Sequence, residues 1–225
     1  MNYRNYECFV AEFMASLIFS IVANFAIVTN VANAAVAIAL AKMSIGYSFE
    51  HLTLRHVNPA VTVACALIGL LHFKSAFVFI IFQIIGFICG SGITRLLFGK
   101  EYLRVYETTQ PTSSVRIIAL EFGVSFLLAL VVIENLVYAK GLIQYNRMGT
   151  TKSYRRNKHA LPFSIGAITG TGSFISSRAE GGSFNPAFIF ATFLVTNKYS
   201  FFWEYMVGDF LGSAAGALVV RHLLH

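Results

Sequence analysis

The chain has 225 residues, of which 56% are hydrophobic and only 12% charged, with 22 phenylalanines among them. That leaves too little polar surface to clothe a soluble globule of this size, so the composition describes a protein solvated by lipid. A net charge of +7 invites a nucleic-acid reading, but the excess is concentrated in one block between apolar runs, which argues against it.

A bilayer core of about 30 Å takes about 20 apolar residues per helix. In chain order, the runs at residues 6–28, 31–45, 74–98, 115–138, 161–177 and 201–224 are candidate spans, six in all. The first is long and lacks a small-residue cleavage site, so it is expected to stay as a helix rather than be removed as a signal peptide. Two further apolar stretches, 61–71 and 188–195, are too short to cross. Each follows an Asn-Pro-Ala triplet, and both are expected to be half-helices.

Between the fourth and fifth spans, residues 139–160 hold Lys140, Arg147, Lys152, Arg155, Arg156 and Lys158 without an acidic residue. The positive-inside bias makes this a cytoplasmic loop. Counting spans outward then puts both termini in the cytoplasm, which suits Arg4 and Arg221 near the two ends. A topology signal accounts for the block, with contact to anionic headgroups as the alternative. Cys8, Cys65 and Cys89 show neither a CxxC nor a Cys/His metal spacing, so neither a disulfide framework nor a metal site is expected. No N-x-Ser/Thr acceptor occurs, and the membrane is left open between the plasma membrane and an internal one.

The order of features repeats. Glu12 and Phe13 lie in the first span, Asn58-Pro59-Ala60 follows, and the next span contains Gly86, Gly90 and Ser91. In the second half come Glu121 and Phe122, then Asn185-Pro186-Ala187, then Gly208, Gly212 and Ser213. The halves are residues 1–98 and 115–225 of one membrane domain. Three spans per half is an odd number, so the second copy lies inverted in the membrane relative to the first. The half-helices then enter from opposite faces, and at ~1.5 Å per residue their N-termini meet near the midplane. The expectation is an all-α membrane protein of six transmembrane helices plus two re-entrant half-helices in an inverted repeat.

The triplets suit that placement. Proline is at home in the first position of a helix, where its missing N–H has no partner to lose, and asparagine is a favoured cap just before it. The cap uses the side-chain oxygen and leaves the amide N–H₂ to point into a cavity. Non-helical backbone at this depth is tolerated only where it is buried in protein or lines a water-filled cavity. The segments 49–57 and 178–184 therefore imply such a cavity.

AEFMAS, HVNPAVT and FQIIGFICG resemble the first-helix, first-box and third-helix motifs of the aquaporin (major intrinsic protein) family, and the resemblance covers nearly the whole chain. It implies a right-handed bundle, a narrow pore in each subunit, a homotetramer, no cofactor, and passage of water. Asn58 and Asn185 would orient a passing water, while the positive ends of the half-helix dipoles oppose cations and protons. Glu12 and Glu121, as carboxyls within the membrane, invite a proton-relay reading. The resemblance implies instead that they hydrogen-bond the re-entrant loops, with His56 bracing the first.

Most water and glycerol channels of that family carry an arginine directly after the second box, where this chain has Phe188. The other outer-filter positions become Ser173, Gly182 and, by alignment across an insertion of about four residues before Asn58, Ala34. An apolar residue there is similar to the unorthodox, superaquaporin-like members, although their first box is usually altered and this one is intact. Loss of the arginine widens the outer mouth or makes it hydrophobic, depending on where the Phe188 ring points, and extends the expected solutes to small neutral ones such as glycerol. Arg178, seven residues before Asn185, is a candidate surrogate cation. The competing function is a non-conducting structural or junctional membrane protein. No nucleophile-base pair, metal cluster or phosphate loop supports an enzyme.

Overall fold

Long runs of Leu, Ile, Phe, Val and Ala become helices wherever no Asn-Pro interrupts them. The computed structural model describes residues 6–29, 31–49, 52–53, 55–103, 113–139, 161–178 and 183–224, and among these there is no strand. The helices are α1 (Tyr6–Thr29), α2 (Val31–Ser48), α3 (Pro59–Leu67), α4 (Phe73–Phe98), α5 (Ser114–Ala139), α6 (Leu161–Arg178), α7 (Pro186–Thr196) and α8 (Phe202–Val219). A 3₁₀ turn, Lys100–Tyr102, follows α4, and a π-helical turn, Val220–Leu224, extends α8. All six expected spans and both half-helices are present. The basic loop at 140–160 and Gly182 lie outside the described residues.

By length and composition alone, α1, α4 and α5 can cross a bilayer. Helices α2, α6 and α8 have 18 residues each, about 27 Å at ~1.5 Å per residue, and are less apolar for a structural reason. They bury Lys42, Thr169 and Ser173, and Asp209 inside the protein. Conversely, Tyr6, Val10, Met14 and Ile18 form an exposed stripe at four-residue spacing on α1, and Phe73, Phe77, Ile81 and Ile85 form another on α4. Polar residues inside and apolar residues outside is the arrangement lipid solvation demands.

Pairing follows the repeat. α1 packs on α4 as α5 packs on α8, α2 on α6 across the centre, and each half-helix against the last span of the other half, α3 on α8 and α7 on α4. Close approach depends on glycine. A Cβ on Gly86 would stand 2.6 Å from Phe13 O, and one on Gly212 would strike Phe122 O. Likewise Gly90 meets Leu17 O and Gly216 meets Phe126 O. The structural register thus matches Gly86 and Gly90 with Gly212 and Gly216, one turn beyond the Gly208 and Gly212 expected from spacing. With that register, Gln83 of α4 corresponds to Asp209 of α8.

The half-helices end by recognisable means. After α3, Gly69 takes φ 81°, with Gly69 N donating to Ala66 O at 3.1 Å and Leu70 N to Cys65 O at 2.9 Å, a Schellman pair that satisfies the last carbonyls. α7 stops at Asn197, also left-handed at φ 57°. α3 has 9 residues and α7 has 11, so each is about half a bilayer long.

Candidate functional site: the paired Asn-Pro-Ala turns

Each half-helix begins in the same way. Asn58 is extended, and its Oδ1 accepts from Ala60 N at 2.9 Å and Val61 N at 3.4 Å. Asn185 is extended too, and its Oδ1 accepts from Ala187 N at 3.1 Å. The oxygens therefore cap, and the amide nitrogens are left over. Here the structure adds something the sequence did not indicate: Asn58 Nδ2 donates to Phe184 O and Asn185 Nδ2 to Val57 O, both at 2.7 Å. The two turns clasp one another reciprocally. One hydrogen of each amide is consumed by this clasp, and one remains for the cavity that both side chains line.

The clasp needs unusual backbone. Val57 and Phe184, each directly before its asparagine, have φ values of 48° and 41°, and the left-handed region is disfavoured for a β-branched residue above all. Such conformations cost about 1–3 kcal/mol each and persist where the surroundings impose them. In the first half the surroundings are Glu12, fully buried in α1. Its Oε1 accepts from Val57 N and from Gln83 Nε2 at 2.8 Å, and its Oε2 accepts from Thr53 Oγ. His56 is braced from α3: its Nδ1 lies 3.0 Å from Thr62 Oγ, which itself donates to Asn58 O at 2.9 Å. In the second half Glu121 Oε2 accepts from Phe184 N at 2.7 Å. Asp209, held by Ser125 Oγ at 2.7 Å, stands beside Glu121. The carboxyls of α1 and α5 thus hold the residue before each asparagine in place.

The cavity at the clasp measures about 30 Å³. A void of about 10–15 Å³ admits one water, so there is room for about two. Its lining includes apolar Ile38, Val61, Leu128 and Val132 and polar Lys42, His56, Asn58, Asn185, Ser173 and Ser183. Phe188 answers the question left open above. Its ring lines this cavity while packing on Phe87 with centroids 5.6 Å apart, and it is only 3% exposed. The position after the second box is therefore hydrophobic and packed.

Ser173 lines this cavity; Ala34 is buried on α2, one turn before Ile38, which lines it. Arg178 is the last residue of α6 rather than part of the loop. The main residue that sequence reasoning passed over is Lys42. It is 6% exposed, with Nζ donating to His56 O at 2.8 Å and to Arg55 O at 3.4 Å. A lone charge inside the run 31–45 was the available signal.

Comparison with known proteins agrees with this fold. Residues 1–220 match the family described as Major intrinsic protein. The chain is similar to an aquaporin of Vairimorpha ceranae, 29% identical over 99% of this chain and 96% of the relative. It is also similar to one of Enterocytozoon bieneusi, 27% identical over 95% and 94%. Its fold resembles the X-ray structure of the aquaglyceroporin from Plasmodium falciparum, with a TM-score of 0.71 over 97% of this chain and 96% of that one at 16% identity.

Proposed function

The chain belongs to the major intrinsic protein family, and on that premise we propose how it conducts: water crosses between the two asparagines, one molecule at a time. The protein is an integral membrane channel and not an enzyme. Water is its substrate, and small neutral solutes such as glycerol are the second class.

The observation that carries this mechanism is the reciprocal clasp. With one amide hydrogen of each asparagine held by the opposite turn, the remaining hydrogens of Asn58 and Asn185 are aimed at fixed angles into the cavity. A water between them accepts twice and donates outward, away from its own midpoint. Its neighbours cannot pass a proton through it. The N-termini of α3 and α7 each carry about half a positive charge, which disfavours hydronium and metal cations at the same place. Ile38, Val61, Leu128 and Val132 offer no hydrogen-bond partner, which limits how many bonds a passing water makes at once.

Both termini are assigned to the cytoplasm on the strength of the basic loop. The exposed apolar stripes of α1 and α4 suit a closed symmetric homotetramer with a pore in each subunit. Native mass measurement in mild detergent would contradict this if a fully active monomer persisted.

Stopped-flow shrinkage of proteoliposomes tests the function. Wild type is expected to raise water permeability well above that of empty vesicles. Asn58→Asp or Asn185→Asp should lower it or admit cations, because each puts an acceptor and a charge where a donor stood. Absence of wild-type water flux would instead favour the non-conducting structural reading, and normal flux in folded aspartate variants would remove the asparagines from the mechanism.

A further inference from the structure

Among the described residues lining the cavity, Lys42 is the only lysine, arginine, aspartate or glutamate. Its ammonium has three N–H donors. Two go to the carbonyls of His56 and Arg55, in the strained segment just before Asn58. The nitrogen also stands 5.5 Å from the centre of the Phe19 ring, close enough for a cation–π attraction. Phe19 is itself a cavity-lining residue. Glu12 contributes an attractive field, but its oxygens are engaged by Thr53, Val57 and Gln83. Among the described residues lining the cavity, no carboxylate faces the ammonium.

We propose that Lys42 is the fixed cation of the pore: it excludes small cations, ammonium and its alkyl derivatives above all, and presents its third N–H to the oxygen of a passing water or neutral solute. This rests on the channel reading above and assigns its charge selectivity to α2, on the Asn58 side of the clasp. Three features make the assignment chemical rather than merely positional. The side chain is buried, so its charge is poorly screened by salt or bulk water. It is tethered at two carbonyls, so it cannot swing out of the path. Lastly, the two carbonyls it holds would otherwise be bare acceptors, which are the groups that attract and coordinate cations in selective pores. Lys42 thus removes a cation site and supplies a positive charge in its place.

A merely structural lysine that only braced the loop would behave differently from a pore cation, and paired variants separate the two. Lys42→Arg keeps the charge and has donors for both carbonyls. Lys42→Gln keeps one donating group without charge. Each is reconstituted beside wild type, and water permeability and methylammonium uptake are measured on the same vesicles. The expected result is that Lys42→Gln raises the ratio of methylammonium to water flux by about tenfold or more, while Lys42→Arg stays near wild type. An unchanged ratio in a water-conducting Lys42→Gln overturns the proposal. So does a Lys42→Arg channel that leaks as much as Lys42→Gln. If Lys42→Gln loses water flux altogether while Lys42→Arg retains it, the lysine is a loop brace and the proposal is wrong. Wild type that conducts no water overturns the channel reading itself, and this inference with it.

Discussion

Glu12 is the most exacting test of how the first turn is held. It is fully buried, and three donors converge on it: Val57 N, Gln83 Nε2 and Thr53 Oγ. Leaving a buried donor unmatched costs about 1–3 kcal/mol, so Glu12→Ala, which strands all three, is expected to cost about 3–9 kcal/mol. That is comparable to the whole stability of an ordinary domain, about 5–15 kcal/mol, and Val57 would have only the Asn185 bond to its carbonyl to keep it left-handed. Glu12→Gln is a milder change. Its oxygen can still accept from Val57 and Gln83, and Thr53 can reverse and accept from the new N–H₂. All three bonds fall from charge-assisted to neutral, and the net loss over the three is about 2 kcal/mol. For a chain of this size about 2 kcal/mol corresponds to a Tm lower by roughly 4–8 °C. Thermal unfolding in detergent, followed by size exclusion, measures both, with water permeability as the functional readout. Glu12→Ala should fail to yield a stable particle, and Glu12→Gln should give a less stable but conducting one. An alanine variant with wild-type Tm and water flux would show that the carboxyl does not hold the turn.

Two further outcomes follow from the second half. Phe188→Ala should raise glycerol flux relative to water, because the ring fills the cavity wall beside Asn185, whereas Phe188→Arg should shift the ratio towards water; equal ratios in both variants would mean the ring does not set the bore. Asp209→Asn should leave Tm unchanged or raised, since an amide can donate to Glu121 as Gln83 does to Glu12, and two adjacent carboxyls can do so only by holding a proton. A Tm drop of roughly 8 °C or more would show that the carboxylate itself is needed.

The helices and their order were legible because lipid imposes a simple rule on composition, and the half-helices because Asn followed by Pro does one physical job at one place, the start of a helix. Which hydrogen of each asparagine is free was not legible. It depends on the left-handed turns at Val57 and Phe184, residues with no intrinsic preference for that geometry, held there by carboxyls 45 and 63 residues away in sequence. The register of the glycines failed for a related reason. Gly208, Gly212 and Gly216 are evenly spaced by one turn, so spacing alone permits two alignments, and only the identity of the backbone each one touches selects between them. Ala34 and Ile38 share one face of α2 a turn apart, so counting across an insertion leaves open which of them faces the cavity at the clasp, and it is Ile38 that lines it. Lys42 was visible as a charge but not as a pore residue, because its meaning lies in two loop carbonyls 13 and 14 residues further on. A buried lysine is expensive wherever it has no acceptors. What makes this one affordable is that the segment before Asn58 turns its carbonyls towards α2, and that same turn directs Val57 O to Asn185. The geometry that aims the amides at water is therefore also what fixes a positive charge beside them.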